Sequence, residues 1–321
     1  MHYFEFSEKF PTERACIEYF IKVRYQYGVS CPHCGTDERI YHRSTRPRNF
    51  TCRNCDNDFS IFSGTIFEDS STDLRKWFFA INRMSHVGRK GVSALQLKRE
   101  IGVTYKCAWR MLKLIRTAMG NHEMEREFEA LVEIDETYIG GKPRKGSNRD
   151  GNGGIVPNKR GRGTKKTPVV GVYERDSKRV VAKVMRPNEE GKKLSGKQLL
   201  DVLETACRSG TQVMTDEFSG YNILDRRNCN NMVRLVIDHS KGYVDGLIHT
   251  NSIESFWALL KRGIHGVYHH VSVKHLQKYV DEFVFRMNNR TKHAFGILVR
   301  QCVGISPRRT GLWFSLQGIR P

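Results

Sequence analysis

Leu131-Val-Glu-Ile-Asp-Glu-Thr-Tyr-Ile139 is the stretch on which the fold turns. Apolar Val132 and Ile134 alternate with Glu133, Asp135 and Thr137, a period-two pattern that predicts a strand. Side chains on a strand point to alternate faces, so Glu133 and Asp135 share one face and Glu136 takes the other. Gly140-Gly141 ends it.

Downstream, Pro168–Tyr173 and Arg179–Met185 are two β-branched runs joined at Asp176-Ser177, which predicts a hairpin. Ser195–Cys207 has helical spacing, with Leu199, Leu200 and Leu203 facing inward. Gln212–Asp216 is a short strand ending in an acid, and Met232–Ile237 is another. In His249–Arg262, Ile253, Phe256, Trp257 and Leu260 fall at i, i+3, i+4 and i+7 and form one apolar stripe, while Asn251, Glu254, Ala258 and Lys261 share a different face. Ser272–Arg290 is predicted as a last long helix. Three strands, a helix, a strand ending in Asp, a further strand and a helix carrying Glu is the order of the RNase H-like nucleotidyl-transfer fold. That order brings Asp135, Asp216 and Glu254 to one edge of a mixed sheet. Clustered carboxylates repel one another unless a cation neutralises them, so hard divalent ions, Mg²⁺ or Mn²⁺, are the expected occupants of a two-ion site.

Upstream of the key strand, Cys31-Pro-His-Cys34 and Cys52-Arg-Asn-Cys55 are two CxxC knuckles separated by seventeen residues. Four thiolates at this spacing suit one tetrahedral Zn²⁺, and Tyr41, Phe50-Thr51 and Phe59–Phe62 suit the short strands of a zinc ribbon. A helical lead-in precedes the ribbon, with Ala15, Tyr19, Phe20 and Val23 at helical spacing. After it, Leu74, Trp77, Phe78 and Ile81 predict an amphipathic helix capped by Ser71 or Thr72. Ser93-Ala-Leu-Gln96 opens a short helix, Gly102 breaks it, and Tyr105–Met119 forms a longer one bearing Lys106, Arg110, Lys113 and Arg116. Helix, glycine turn and basic helix is a helix-turn-helix pattern, whose second helix would enter the major groove.

The 321 residues carry a net charge of +20, so polyanions, nucleic acid first, are the expected partners. No apolar run approaches the ~20 residues of a membrane span, and no membrane partner is expected. Met1–Phe10 is too acidic and aromatic for an export signal, which places the nine cysteines in a reducing compartment, with cytosol or nucleoid as the expected setting. Residues 142–166 are rich in Gly, Lys and Arg with one acid, Asp150, and are expected to clamp DNA through Lys142, Arg144, Lys145, Lys159, Arg160 and Arg162. The expected organisation is a lead-in helix and zinc ribbon at 1–67 and a helix-turn-helix-like DNA-binding region at 68–125. An RNase H-like domain follows at 126–295 with its basic insert 142–166, and a basic tail occupies 296–321.

The chain resembles bacterial insertion-sequence transposases of the ISXO type, the group related to Merlin elements. The resemblance rests on the two CxxC knuckles, Glu133–Gly141, Thr215-Asp-Glu-Phe-Ser-Gly-Tyr221, His249–Trp257, Lys261-Arg262, and His275-Leu276 leading to Arg286-Met-Asn-Asn-Arg290. It implies metal-dependent DNA strand cleavage and strand transfer at transposon ends, by a homo-oligomer assembled on DNA. Asp135 and Asp216 then stand as the first two acids of a DDE set. The family's third position is Glu or Asn; Glu254, thirty-eight residues after Asp216, is preferred over Asn251 because a carboxylate holds Mg²⁺ better than an amide. Lys261, seven residues further on, would reach a phosphate, and Arg262 would contact DNA. The competing reading is a non-enzymatic zinc-ribbon and helix-turn-helix regulator, which leaves the three acids without a role.

Overall fold

A computed structural model describes residues 1–86, 90–120, 128–141, 166–189, 194–225, 229, 231–236 and 250–304. They divide into two compact units, Met1–Asn121 with Thr291–Pro321, and His122–Arg290. Among the described residues, no helix is long and apolar enough to cross a membrane.

In the first unit, α1 (Tyr3–Lys9) and α2 (Glu13–Arg24) lead into a three-stranded antiparallel sheet of β1 (Ile40–His42), β2 (Asn49–Cys52) and β3 (Asp58–Ser60). The lead-in is therefore two helices, and α2 buries Cys16, Ile17 and Phe20, a face rotated from the one expected through Ala15 and Val23. The next helix, α3 (Leu74–His86), buries the predicted Leu74, Trp77, Phe78 and Ile81. Its start is not held by Ser71 or Thr72: the Asp73 carboxylate accepts the N–H of Arg75 at 2.6 Å, and Glu13 accepts that of Leu74 at 3.0 Å. Next, α4 (Ala94–Ile101) begins at Ser93, whose hydroxyl accepts the N–H of Gln96, and ends at Gly102 with φ 62°, a left-handed turn that a Cβ would strain. It leads into α5 (Tyr105–Gly120).

The unit ends on α9 (Ala294–Val303), which corrects the basic tail expected from 296 onward. Phe295, Leu298, Val299 and Cys302 repeat at helical spacing and are buried, and the Phe295 ring lies 5.7 Å from that of Phe10 and 5.8 Å from that of Phe78. The basic residues of the segment masked this stripe in the sequence.

The second unit is a five-stranded sheet in the order β6-β5-β4-β7-β8, comprising β4 (Leu131–Ile139), β5 (Thr167–Glu174), β6 (Arg179–Val184), β7 (Gln212–Thr215) and β8 (Val233–Val236). The first three pair antiparallel, while β4–β7 and β7–β8 pair parallel. This is the RNase H-like topology, with β4 at the centre. One face packs Val132, Ile134, Val170 and Val172 against α6 (Gly196–Ala206), whose Ser195 and Gln198 form a capping box. The other face packs Ile139, Val169 and Tyr173 against α7 (Asn251–Gly263) and α8 (Leu276–Asn288).

The outer strand β6 would offer unpaired backbone groups along its edge. Two amides of α8 take them: Gln277 accepts from Val184 N–H and donates to the Ala182 carbonyl, and Asn288 bonds both backbone groups of Val180 at 2.8 Å. A short π turn, Ile264–Tyr268, joins the two helices, and Gly263 at the end of α7 lets Phe283 of α8 approach. A Cβ there would sit 1.9 Å from Phe283 Cζ. Alanine is normally the better helix residue by about 1 kcal/mol, but overpacking of this kind costs about 1–3 kcal/mol. Gly263→Ala is therefore expected to lower the unfolding free energy in urea titration.

Candidate active site and metal centre

The zinc ribbon presents the first centre. Hairpin geometry brings the two knuckles together, with Cys31 Sγ 3.7 Å from Cys55 Sγ and Cys34 Sγ 3.7 Å from Cys52 Sγ. All four sulfurs lie within 4.8 Å of one another. A tetrahedral Zn²⁺ with bonds of about 2.3 Å needs sulfurs about 3.8 Å apart, so the donor set fits the ion. Hydrogen bonds from the Asn57 side chain and backbone bring Cys55 down to about 6. Against a lowering backbone bond from Thr36, burial and the other thiols push Cys34 up to about 11. A dication favours the thiolate at all four. Cys52→Ser is expected to lower the zinc retained per chain well below that of the native sequence, and to open the ribbon to protease; metal analysis and limited proteolysis check both.

The second centre lies where the middle of β4 adjoins the end of β7. These strands run parallel with Glu133 level with Met214, and the same register carried two residues on sets Asp135 level with Asp216. Asp216 follows the last residue of β7, and its Oδ1 accepts the Phe218 N–H at 3.0 Å. Arg234 of β8 braces this corner, donating to the Thr215 hydroxyl, the Asp216 carbonyl, Asn222 and Asp225. Glu136, on the opposite face of β4 from Asp135, accepts the hydroxyl of fully buried Tyr221 at 3.0 Å. Burial first, and then the charges of Glu136, Asp135 and Asp216, raise the Tyr221 phenol.

Asp135 carries the electrostatic signature of the site. Burial, then the charge of Glu136, then that of Asp216 push its carboxyl up to about 7, against lowering hydrogen bonds from the Glu136 backbone and the Trp257 indole. Its Oδ2 accepts Trp257 Nε1–H at 3.0 Å.

The helix α7 lies on this face of β4. Its cap residue, Thr250, makes no side-chain capping bond; instead the buried carboxylate of Glu133 accepts the N–H groups of Ser252 at 2.9 Å and Ile253 at 3.0 Å. Asn251 and Glu254 stand exposed in its first turn, and Lys261 and Arg262 in its last. The structure thus brings Asp135 and Asp216 together. Among the described residues, the four cysteines are the group of three or more ligating side chains that converges within 4.8 Å, and Glu254 does not complete a second. Of the basic set, Lys106 and Arg110 are exposed on α5, Arg110 also reaching the Glu68 carbonyl, and the Lys113 ammonium lies 5.1 Å from the Trp109 ring. Arg116, read as part of the same basic face, is buried. Lys142, Arg144, Lys145, Lys159, Arg160 and Arg162 lie outside the described residues.

Sequence reasoning gave Glu133 no role and placed Trp257 only in the apolar stripe. Trp257 bonds Asp135 directly and Glu133 bonds the start of the helix that carries Glu254; the available signal was the shared face of Glu133 and Asp135. Gly171 gave no signal: it pairs with Asp135 across β4–β5, and a Cβ there would meet the Trp257 ring at 2.7 Å.

A carboxyl raised from 3.8 to about 7 binds its proton more tightly in the folded than in the unfolded chain. Its stabilising contribution is therefore full below pH about 4 and is lost as pH rises through about 7. In EDTA, Asp135→Asn is expected to flatten the fall in unfolding free energy between those values, measured by urea titration at several pH values.

Residues 128–288 match the family described as ISXO2-like transposase domain, and residues 11–58 match a transposase zinc-ribbon domain. Over 285 residues the chain is 31% identical to an uncharacterized protein in transposable element ISH50 of Halobacterium salinarum, covering 86% of this chain and 91% of that protein. Among solved structures, a simian T-cell lymphotropic virus intasome in complex with PP2A regulatory subunit B56 gamma aligns at 12% identity and a TM-score of 0.30, over 60% of this chain and 64% of that one. A pre-cleavage Mos1 transpososome aligns at 12% identity and 0.27, over 70% and 76%.

Proposed function

The chain belongs to the ISXO2-like transposase family, and from that premise we propose that it cuts and joins DNA at the ends of an insertion sequence through a site built on Asp135, Asp216 and Glu254. The observation that carries the assignment is the level placement of Asp135 and Asp216 on adjacent parallel strands, with the Asp135 carboxyl pushed up to about 7 by burial and by the charges of Glu136 and Asp216. Oxygen donors crowded in this way suit hard divalent cations, and Mg²⁺, or Mn²⁺ in its place, is the proposed cofactor. When bound, two such ions supply Lewis acidity at the attacking and leaving oxygens of an in-line displacement at phosphorus.

Around them the protein holds and orients. Asp135 and Asp216 offer carboxylate oxygens from two neighbouring strands, each already fixed by a hydrogen bond, to Trp257 and to the Phe218 N–H. Glu254 is placed by α7 one turn into the helix and would be the third oxygen donor. Asn251, one turn earlier, is the neighbouring candidate. Lys261 lies two turns further along α7 and would take a phosphate oxygen, with Arg262 beside it.

DNA is held by several parts. Lys106, Arg110 and Lys113 on α5 would sit in or beside the major groove, with Gly102 setting the turn between α4 and α5. The insert 142–166 would clamp the backbone through Lys142, Arg144, Lys145, Lys159, Arg160 and Arg162, without sequence preference. Work on two transposon ends calls for more than one copy, so a homo-oligomer on DNA at the nucleoid is the proposed working form.

The test is cleavage of the element's own terminal DNA in Mg²⁺ against EDTA. Glu254→Ala is expected to reduce strand cleavage by at least about 100-fold, while binding of end DNA in a gel-shift assay stays within about twofold of native. An inactive Asn251→Ala beside an active Glu254→Ala would move the third position to Asn251. Cleavage undiminished in EDTA would overturn the metal site altogether.

A further inference from the structure

Two hydrogen-bonded tethers join α7 to one face of β4, and their spacings match. On the strand, Glu133 and Asp135 are two residues apart, about 6.7 Å at strand rise. On the helix, Ile253 and Trp257 are four residues apart, about 6 Å at helical rise. Glu133 accepts from the backbone of Ser252 and Ile253, and Asp135 accepts from the Trp257 indole at 3.0 Å. The helix therefore lies along the strand, and sliding it by one residue would break both contacts. Glu254 sits between the two tethers.

We propose that Glu133 and Trp257 are positioning residues of the active site, locking α7 along β4 so that Glu254 is carried at a fixed height beside the strand that holds Asp135.

Three further observations support this. Glu133 has no exposed surface, and its other oxygen accepts from Arg175 Nε at 2.7 Å, so the carboxylate is paired on both sides and held in one orientation. The usual cap position of α7, Thr250, makes no side-chain capping bond, which leaves the start of the helix to be held from the sheet. Gly171, opposite Asp135 on β5, gives the indole its seat: a Cβ there would lie 2.7 Å from Trp257 Cη2 and 2.9 Å from Ile253 Cδ1. A carboxylate has about four acceptor sites. The indole and the Glu136 backbone N–H take two, which orients Asp135 and leaves others for a cation.

The inference rests on Asp135 being a metal ligand, so the experiment separates the two ideas. The zinc-loaded full-length chain is titrated with Mn²⁺ by calorimetry, its binding to end DNA is measured in EDTA, and its cleavage kinetics are resolved into kcat and KM. Loss of a partner that orients a metal ligand typically costs about 10–100-fold in affinity or activity. Trp257→Phe is expected to lose about tenfold or more in Mn²⁺ affinity and in kcat, with KM for DNA and binding in EDTA unchanged. Glu133→Ala should lose as much, and Glu133→Gln, which keeps an oxygen for the two helix N–H groups, should recover most of it. If Glu133→Ala does not fold, Trp257→Phe and Glu133→Gln carry the test. Native Mn²⁺ affinity and kcat in folded Trp257→Phe and Glu133→Ala, with Asp135→Asn unable to bind Mn²⁺, would overturn the positioning role alone. Native Mn²⁺ binding by Asp135→Asn would overturn the metal site, and the positioning role with it.

Discussion

A carboxylate without exposed surface must be paired where it lies, and Glu133 is the one on which the second unit depends. Removing one partner of a buried charged pair costs about 3–5 kcal/mol, because the other charge is left without water. Glu133 meets the requirement with Arg175 on one oxygen and the first backbone N–H groups of α7 on the other. The start of a helix carries about half a positive charge from its unsatisfied N–H groups, so the acid and the helix suit each other electrostatically. One residue on the central strand thus decides where α7 begins. Everything α7 carries, from Asn251 to Lys261, follows from that.

Close approach does the rest of the placing. Trp257 reaches Asp135 because β5 has Gly171 where any side chain would collide with the indole. At its other end α7 can turn into α8 because Gly263 leaves room for Phe283. Neither glycine has the positive φ that usually explains the residue; the reason at both is space. In turn α8 closes the sheet, since Gln277 and Asn288 bond the free edge of β6 much as another strand would. The motif Arg286–Arg290 therefore has a structural role that its polar composition disguises: Asn288 pairs with the sheet, and Arg286 bonds the fully buried Glu282.

The elements that were legible in the sequence are those whose pattern is local. The alternation of 131–139, the apolar stripe of α7, the Ser93 cap and the paired CxxC knuckles each state their structure within a few residues, and the strand order followed from them. What was not legible depends on partners distant in the chain. The start of α3 is held by Glu13, sixty-one residues earlier, so neither Ser71 nor Thr72 was needed. The apolar stripe of α9 was hidden by the basic residues around it. Glu133 looked like one more acid beside Asp135, because its partners lie far downstream, Arg175 at 42 residues and Ser252 and Ile253 at 119 and 120. For the same reason the pairing of Asp135 with Asp216 could be anticipated from the strand order, whereas the bond from Trp257 could not.

The electrostatics of Asp135 bear on why a chain with 54 basic and 34 acidic residues concentrates acids at one point. The groups that hold its carboxyl down, the backbone N–H of Glu136 and the Trp257 indole, are neutral donors. Those that push it up are burial and two carboxylates. Neutral donors fix the direction of an oxygen without cancelling its charge. Among the nearby cations, Arg175 is bonded to Glu133, and Arg234 to Asp225 and to the backbone of Asp216. The two arginines thus serve as braces for the scaffold, while Asp135 is oriented and left electrostatically unfavourable. A permanent ion pair at Asp135 would remove that tension and with it the affinity for an exchangeable cation. Orientation supplied by neutral groups is the arrangement that keeps the position fixed and the charge available.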